Sequence, residues 1–206
     1  IEMAKERGCT VILCGADPTD HAEKYITRGA DFVLLGEGEE TLVELMGRLT
    51  GQTDIPLESI LGLAYPEESR VEDLSREKST RTIVRNPRRP DIKDLDALPF
   101  PAWDLVDVPR YRKIWLERHG YFSMNMVTTR GCPFHCNWCA KPIWGQRYNA
   151  RSPENVIEEI AWMKQNYDVD HIWIVDDIFG LKPGWLKRFG NLVAERGLQI
   201  PFKCLS

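Results

Sequence analysis

Apolar and polar positions along the chain form two stretches in which short apolar runs alternate with amphipathic helices, separated by a stretch where the periodicity breaks. In the first, Val11-Ile12-Leu13-Cys14 is a continuous apolar run of the kind buried on both faces of a parallel sheet. It ends in Gly15-Ala16-Asp17-Pro18-Thr19. A helix is predicted from His21 to Arg28, closed by Gly29, and the next strand over Asp31-Phe32-Val33-Leu34-Leu35. Gly36-Glu37-Gly38-Glu39-Glu40 then leads into a helix that places Leu42, Leu45, Met46 and Leu49 on one face. Such alternation predicts a doubly wound sheet, whose ligands bind at the carboxyl ends of the strands, where both glycine-bearing loops fall.

From Gln52 to about Glu117 the pattern changes. Ile60-Leu61-Gly62-Leu63-Ala64-Tyr65 and Thr82-Ile83-Val84-Arg85 read as two strands of a small hairpin around a charged loop. The proline-punctuated runs 86–90 and 98–104 read as extended connector. Its apolar residues Leu95, Leu98, Phe100 and Trp103 are expected to pin it to a domain surface, and the basic run Arg85 to Arg89 to be solvated.

The second alternating stretch begins near Tyr121. Met124 to Thr129 predicts a strand, and Ser152-Pro153-Glu154 opens a helix with an N-cap hydroxyl, a proline at N1 and a first-turn acid. Val156, Ile160 and Met163 mark its buried stripe. His171-Ile172-Trp173-Ile174-Val175 predicts a strand ending in Asp176-Asp177, then comes a helix with Leu186, Phe189, Leu192 and Val193, then a strand from Pro201 to Cys204. The expected organisation is therefore residues 1–51 as one sheet domain, 52–118 as linker with a hairpin, and 119–206 as a second α/β domain.

Composition changes this picture little. With 206 residues, 43% of them hydrophobic and 28% charged, the chain is ordinary globular material. A net charge of −4 and a pI near 5.7 give no general attraction to phosphate backbones, which argues against nucleic acid as a partner. No apolar run approaches the roughly 18 residues that a bilayer-spanning helix needs, and no secretory leader opens the sequence. A cytoplasmic location is expected. The six cysteines then read as thiols or metal ligands and not as a disulfide frame, with Cys9, Cys14 and Cys204 expected as buried thiols in or beside apolar runs. The first residues resemble the last turns of a helix, and the final ones lie inside an apolar run. Both suggest a piece of a longer polypeptide, catalytically incompetent by itself.

The chemistry sits in Arg130-Gly131-Cys132-Pro133-Phe134-His135-Cys136-Asn137-Trp138-Cys139. Three thiols spaced Cys-x3-Cys-x2-Cys on one short loop after a strand form a soft ligand set, suited to zinc, copper(I) or an iron-sulfur cluster. A structural zinc site requires four ligands, which His135 or Cys204 would have to complete. Three thiolates without a neighbouring fourth favour a cubane cluster with one open iron.

At these residues the sequence resembles the radical S-adenosylmethionine (SAM) superfamily, whose signature is this spacing with an aromatic residue, here Trp138, before the last cysteine. The resemblance implies a 4Fe-4S cluster on Cys132, Cys136 and Cys139, SAM chelating the fourth iron, the Trp138 segment against the adenine, and Asp176 and Asp177 near the SAM amino group. It also implies the first half of a partial (β/α)6 barrel in residues 119–206, reductive cleavage of SAM to a 5′-deoxyadenosyl radical, and an external donor such as flavodoxin or ferredoxin. No catalytic residue beyond the cluster ligands is identifiable.

The segment Gly15-x-x-Pro18-Thr19, Asp31-Phe32-Val33 and Gly36-Glu37-Gly38-Glu39-x-Thr41-Leu42 resembles the second half of the cobalamin-binding, Rossmann-like domain that precedes many radical SAM domains. Cobalamin contacts are then implied at Gly15, Ala16, Asp17, Gly36, Glu37 and Gly38. The family's first loop usually carries two glycines and a histidine, and here Gly15, Ala16 and Asp17 stand instead. The two-domain order is similar to the anaerobic magnesium-protoporphyrin monomethyl ester cyclases and related methylases. That implies methylation or oxidative cyclisation at an unreactive carbon of a small molecule, with tetrapyrroles and lipids among the candidates. The rival readings are a zinc-binding structural module, a cobalamin-dependent sensor and a methylthiotransferase; Cys9 and Cys14 do not resemble the second cysteine set of the last.

Overall fold

The computed structural model describes residues 1–67, 82–139 and 144–205. The charged loop expected between the hairpin strands falls largely on 68–81, outside the described residues. The chain divides into two compact units, Ile1–Asp91 and Ile92–Ser206.

The first unit runs α1 (Glu2–Lys5), β1 (Ile12–Leu13), α2 (Ala16–Asp20), α3 (Ala22–Thr27), β2 (Phe32–Leu34), α4 (Glu39–Leu49), β3 (Leu63–Pro66) and β4 (Ile83–Arg85). β1 and β2 are parallel, with Ile12 opposite Phe32 and Leu13 opposite Val33. The alternation of β2 feeds two cores. Val33 packs with Ala22 and Ile26 of α3, and Leu34 packs with Leu45 of α4 and with Ile60 and Leu63.

The hairpin expected in the linker continues this sheet. β3 pairs antiparallel with β2, and β4 with β3, giving the order β1-β2-β3-β4. The unit is therefore a mixed sheet, and the stretch expected as connector is shared between the two units. The basic run is solvated at Arg85 and Arg88, as expected, but Arg89 is largely covered and all three guanidinium groups are engaged. Arg85 donates to the Thr19 carbonyl at 2.8 Å and meets Glu23 at 3.3 Å. Arg88 meets the buried Asp91 at 3.2 Å, and Arg89 bonds Thr41 Oγ1 at 3.1 Å while pairing with Glu40 and Glu44. Acids on α3 and α4 give the guanidinium groups something to hold, which composition cannot foretell.

In the second unit, α5 (Val108–His119) precedes β5 (Ser123–Met126), β6 (Thr129–Arg130), β7 (Asn149–Ala150), α6 (Pro153–Tyr167), β8 (His171–Ile174), α7 (Trp185–Glu195) and β9 (Phe202–Lys203). β5, β8 and β9 are parallel neighbours in that order. Met124, Met126, Ile172 and Ile174 turn one face of the sheet onto Val156, Ile160 and Met163 of α6 and Trp185, Phe189 and Leu192 of α7. On the other face Asn125 lies opposite Trp173, which is exposed, and Ser123 Oγ hydrogen-bonds His171 Nδ1 at 2.9 Å.

The cap of α6 is as the sequence predicts: Ser152 Oγ accepts from Asn155 N at 3.1 Å, and Pro153 opens the helix. Helix α5 was not expected. Asp107 caps it by accepting from Arg110 N at 3.1 Å, and Gly120, at φ 76°, ends it in the left-handed region. The connector ahead of it is fastened to this unit. Asp96 Oδ1 accepts from Ser152 N at 2.8 Å, and Asn149 Nδ2 donates to the Ile92 carbonyl at 3.2 Å. Among the described residues no helix is long and apolar enough to cross a membrane.

Candidate functional site

β5 ends at Met126, and after two intervening residues β6 pairs antiparallel with β7, Thr129 opposite Ala150 and Arg130 opposite Asn149. This two-stranded clasp, absent from the sequence reading, closes the cysteine loop at the carboxyl end of the first parallel strand. Gly131 makes the closure possible. Its φ is 80°, and a Cβ there would lie 2.2 Å from the Arg147 carbonyl oxygen. Because the obstacle is backbone, Gly131→Ala is expected to force the clasp apart and to lower unfolding free energy by about 1–3 kcal/mol. Urea denaturation monitored by circular dichroism measures it.

A buried carboxylate holds the start of the loop. Asp176 accepts from Thr128 N at 2.7 Å and Thr129 N at 3.0 Å, and also from the Thr128 hydroxyl. Burial pushes its carboxyl above the ordinary range, and the threonine hydrogen bonds pull it back. The acid pair expected at the SAM amino group thus divides: Asp176 is buried on the loop base, and Asp177 is exposed.

Cys132 is half-buried, while Cys136 and Cys139 are exposed on the turn that the Cys139 N to Cys136 carbonyl bond, 3.2 Å long, defines. Among the described residues, no three His, Cys, Asp or Glu side chains are gathered into metal-binding geometry. The fold therefore brings the three thiols onto one clasped loop without converging them on a point. Trp138 is 86% exposed, and His135 is also at the surface. Elsewhere the expectation of buried thiols fails: Cys9 and Cys14 are exposed and Cys204 half-buried, because the first two sit at turns beside β1 and not within it.

Arg151, which sequence reasoning passed over, ties the loop base to its surroundings. It pairs with Glu159, donates through Nε to Asn155 Oδ1 at 2.7 Å and through Nη1 to the Val127 carbonyl at 2.8 Å, and lies 5.6 Å from the Phe100 ring centroid. Its own carbonyl accepts from Trp185 Nε1 at 2.7 Å. Glu159 is only 1% exposed. The available signal was an acid three residues after Val156 and beside Ile160, inside the apolar stripe of α6.

In the first unit the two glycine loops do lie at the carboxyl ends of parallel strands. Gly15, at φ 116°, has an open face: a Cβ there would meet nothing nearer than Pro18 Cδ at 4.0 Å. Ala16 and Asp17 begin α2, and the Tyr25 hydroxyl donates to Asp17, holding that carboxyl below its ordinary range. Gly36 N donates to Thr19 Oγ1 at 3.1 Å, and the other side of Gly36 is covered by Arg88, whose Nε is 3.0 Å from where a Cβ would stand. Glu37 is buried, and Gly38 packs on Leu34.

The sequence pattern of the Radical SAM superfamily matches residues 126–202. These residues are a radical SAM domain. The match opens on the last residue of β5 and closes in β9, so it takes in the clasp, the three thiols, Asp176 and the helices α6 and α7, but not α5.

An uncharacterized methyltransferase of Pyrococcus horikoshii is 31% identical over 177 residues, 85% of this chain and 34% of that protein. The cobalamin-dependent radical SAM methyltransferase TokK of Streptomyces tokunonensis is 25% identical over 205 residues, 95% of this chain and 27% of that protein. Among solved structures, the radical SAM methyltransferase TsrM from Kitasatospora setae, with tryptophan substrate and a SAM analog bound, superposes with a TM-score of 0.63. It shares 19% identity over 95% of this chain and 35% of its own, a likeness of fold. The radical SAM domain and the unit before it therefore span about a third of the length of the relatives they match.

Proposed function

We propose that this chain is part of a cobalamin-dependent radical SAM enzyme that transfers a methyl group, or closes a ring, at an unreactive carbon of a small molecule. The observation that carries the reading is the three-thiol loop, clasped by β6 and β7 at the carboxyl end of the first parallel strand of a radical SAM domain. Cys132, Cys136 and Cys139 would hold a 4Fe-4S cluster by three of its irons, and their soft sulfur donors suit it. The cluster, when bound, supplies one-electron reductive cleavage of SAM. Gly131 and Asp176 give the loop a fixed base, so that only the tip carrying the thiols has to close around its ligand, and ligand binding supplies the energy of that ordering.

Asp177, with its exposed carboxylate, is the acceptor assigned to the SAM ammonium, and Trp138 offers its exposed face to the adenine. In the first unit, cobalamin would approach the open backbone of Gly15 beside Ala16 and Asp17. At the second loop, Gly36, Glu37 and Gly38, it would meet the Arg88 guanidinium on the side of Gly36 where a Cβ would stand, and Leu34 on that side of Gly38. The support is the position of both loops at the carboxyl ends of parallel strands, together with the likeness to a cobalamin-dependent methyltransferase. A small-molecule substrate and an external electron donor of the flavodoxin or ferredoxin kind complete the reading, as does a second unit that forms the opening half of a partial (β/α)6 barrel.

Anaerobic reconstitution of the chain with iron and sulfide, followed by metal and sulfide analysis, tests it. Uptake of both, with a brown colour that air bleaches, is the expected result. A colourless protein that retains zinc after the same treatment would show a structural zinc module instead.

A further inference from the structure

Tyr148 stands one residue before β7, between Arg147, whose carbonyl closes on Gly131, and Asn149, which pairs with Arg130. It is half-buried and lies outside the apolar core of the second unit. What it holds is polar. Its hydroxyl oxygen accepts from Leu181 N at 3.2 Å, across 33 positions of chain. Burial pushes the phenol above its ordinary range, while the N–H groups of Leu181 and Lys182 and the Thr129 hydroxyl pull it back. The phenol is therefore protonated at neutral pH, and its oxygen serves as a steady acceptor.

The segment it grips is the one that follows β8. Asp176 is braced by Thr128 and Thr129, and the Ile178 carbonyl accepts from Thr129 Oγ1 at 3.3 Å. Phe179 is buried, with its ring centroid 5.3 Å from that of Trp185 and 5.9 Å from that of Phe189. Leu181 N then meets Tyr148. Asp177, exposed, stands between these ties. Thr129 and Tyr148 both belong to the clasp that closes the cysteine loop, so the same strands that set the thiols also set the backbone on which Asp177 rides. We propose that Tyr148 is a positioning residue for SAM: by holding Leu181 N to the clasp, it keeps the Asp177 carboxylate in register with the three thiols. A reacting group fixed in this way loses less freedom when its ligand arrives. This role rests on the cluster and on the Asp177 contact proposed above.

Two measurements test it, and the first needs neither cluster nor SAM. Tyr148→Phe keeps the ring and removes the acceptor. Hydrogen–deuterium exchange of the iron-free chain, followed by mass spectrometry, should then quicken over residues 178–182 and stay unchanged over 123–130. In the full-length enzyme, reconstituted anaerobically, the same variant should retain its iron and sulfide. Its dissociation constant for SAM, read by equilibrium dialysis, should rise about three- to fivefold, the ratio that one net hydrogen bond is worth. In an Asp177→Ala background the change should have no effect on SAM, because the group that Tyr148 positions is gone. Unchanged exchange over 178–182, or unchanged SAM affinity, would overturn the proposal. So would equal weakening in both backgrounds, which would show an action independent of Asp177, and so would loss of fold or of iron, which would show a structural brace only. A parent enzyme that bound no SAM would instead sink the cluster reading, and the SAM role of Tyr148 with it.

Discussion

Alanine at any one of Cys132, Cys136 or Cys139 is expected to abolish cluster retention and, in the full-length enzyme, formation of 5′-deoxyadenosine from SAM. The reason is ligand count. With three protein thiolates and one open corner, the proposed site has none to spare, and a cluster held by two cannot keep its open iron in register with a bound SAM. Iron and sulfide content after anaerobic reconstitution reads the first effect, and chromatographic assay of 5′-deoxyadenosine reads the second. Cys9→Ala and Cys14→Ala serve as controls, because these exposed thiols lie in the other unit and should leave both readouts unchanged. A single variant of the trio that kept its iron and its turnover would refute the assignment.

The second large effect is on stability. Asp176→Ala removes the acceptor of two backbone N–H groups and one hydroxyl in a buried setting. Leaving such donors without partners costs about 1–3 kcal/mol apiece, so a total loss of about 3–5 kcal/mol is expected once the loop relaxes. The midpoint of urea denaturation measures it. Asp176→Asn retains one acceptor oxygen and should recover part of the loss. Asp177→Ala should leave the midpoint unchanged and weaken SAM binding, which separates the loop's brace from the proposed ammonium contact. Equal destabilisation by the two alanines would contradict that division of labour.

Much of this architecture was legible in sequence because it depends on neighbours. Ser152-Pro153-Glu154 marked the start of α6, and the apolar runs marked β1, β2, β5 and β8, since caps and periodicities act over one or two turns of chain. Period-2 alternation even held a clue that was not used: Asp176 falls in phase with Ile172 and Ile174, both buried, so its burial follows from the strand's own pattern. Helix α5 was missed despite Asp107, Pro109 and Gly120. Tyr111, Ile114 and Trp115 stand on its exposed surface and blur the stripe that a reader looks for.

Other features had no local signature. The hairpin joins the first sheet because β3 finds the free edge of β2, about thirty residues earlier in the chain, and no property of residues 60–85 alone names that partner. Likewise the Arg85 to Arg89 run reads as unpaired until α3 and α4 bring Glu23, Glu40 and Glu44 beside it.

The sequence by itself determined the chemistry on offer: three sulfur donors at a spacing that fits one cluster, set after a strand, with glycines where the chain must turn sharply. Ligand softness and short-range geometry are properties of residue identity and of the few residues around it. Only the tertiary structure decided which polar groups are buried and what they hold. Asp176 braces Thr128 across 48 positions of chain, and Arg85 reaches the Thr19 carbonyl across 66. A buried charge or hydrogen bond takes its energy from the partner it meets, and that meeting is fixed by packing and not by order in the chain.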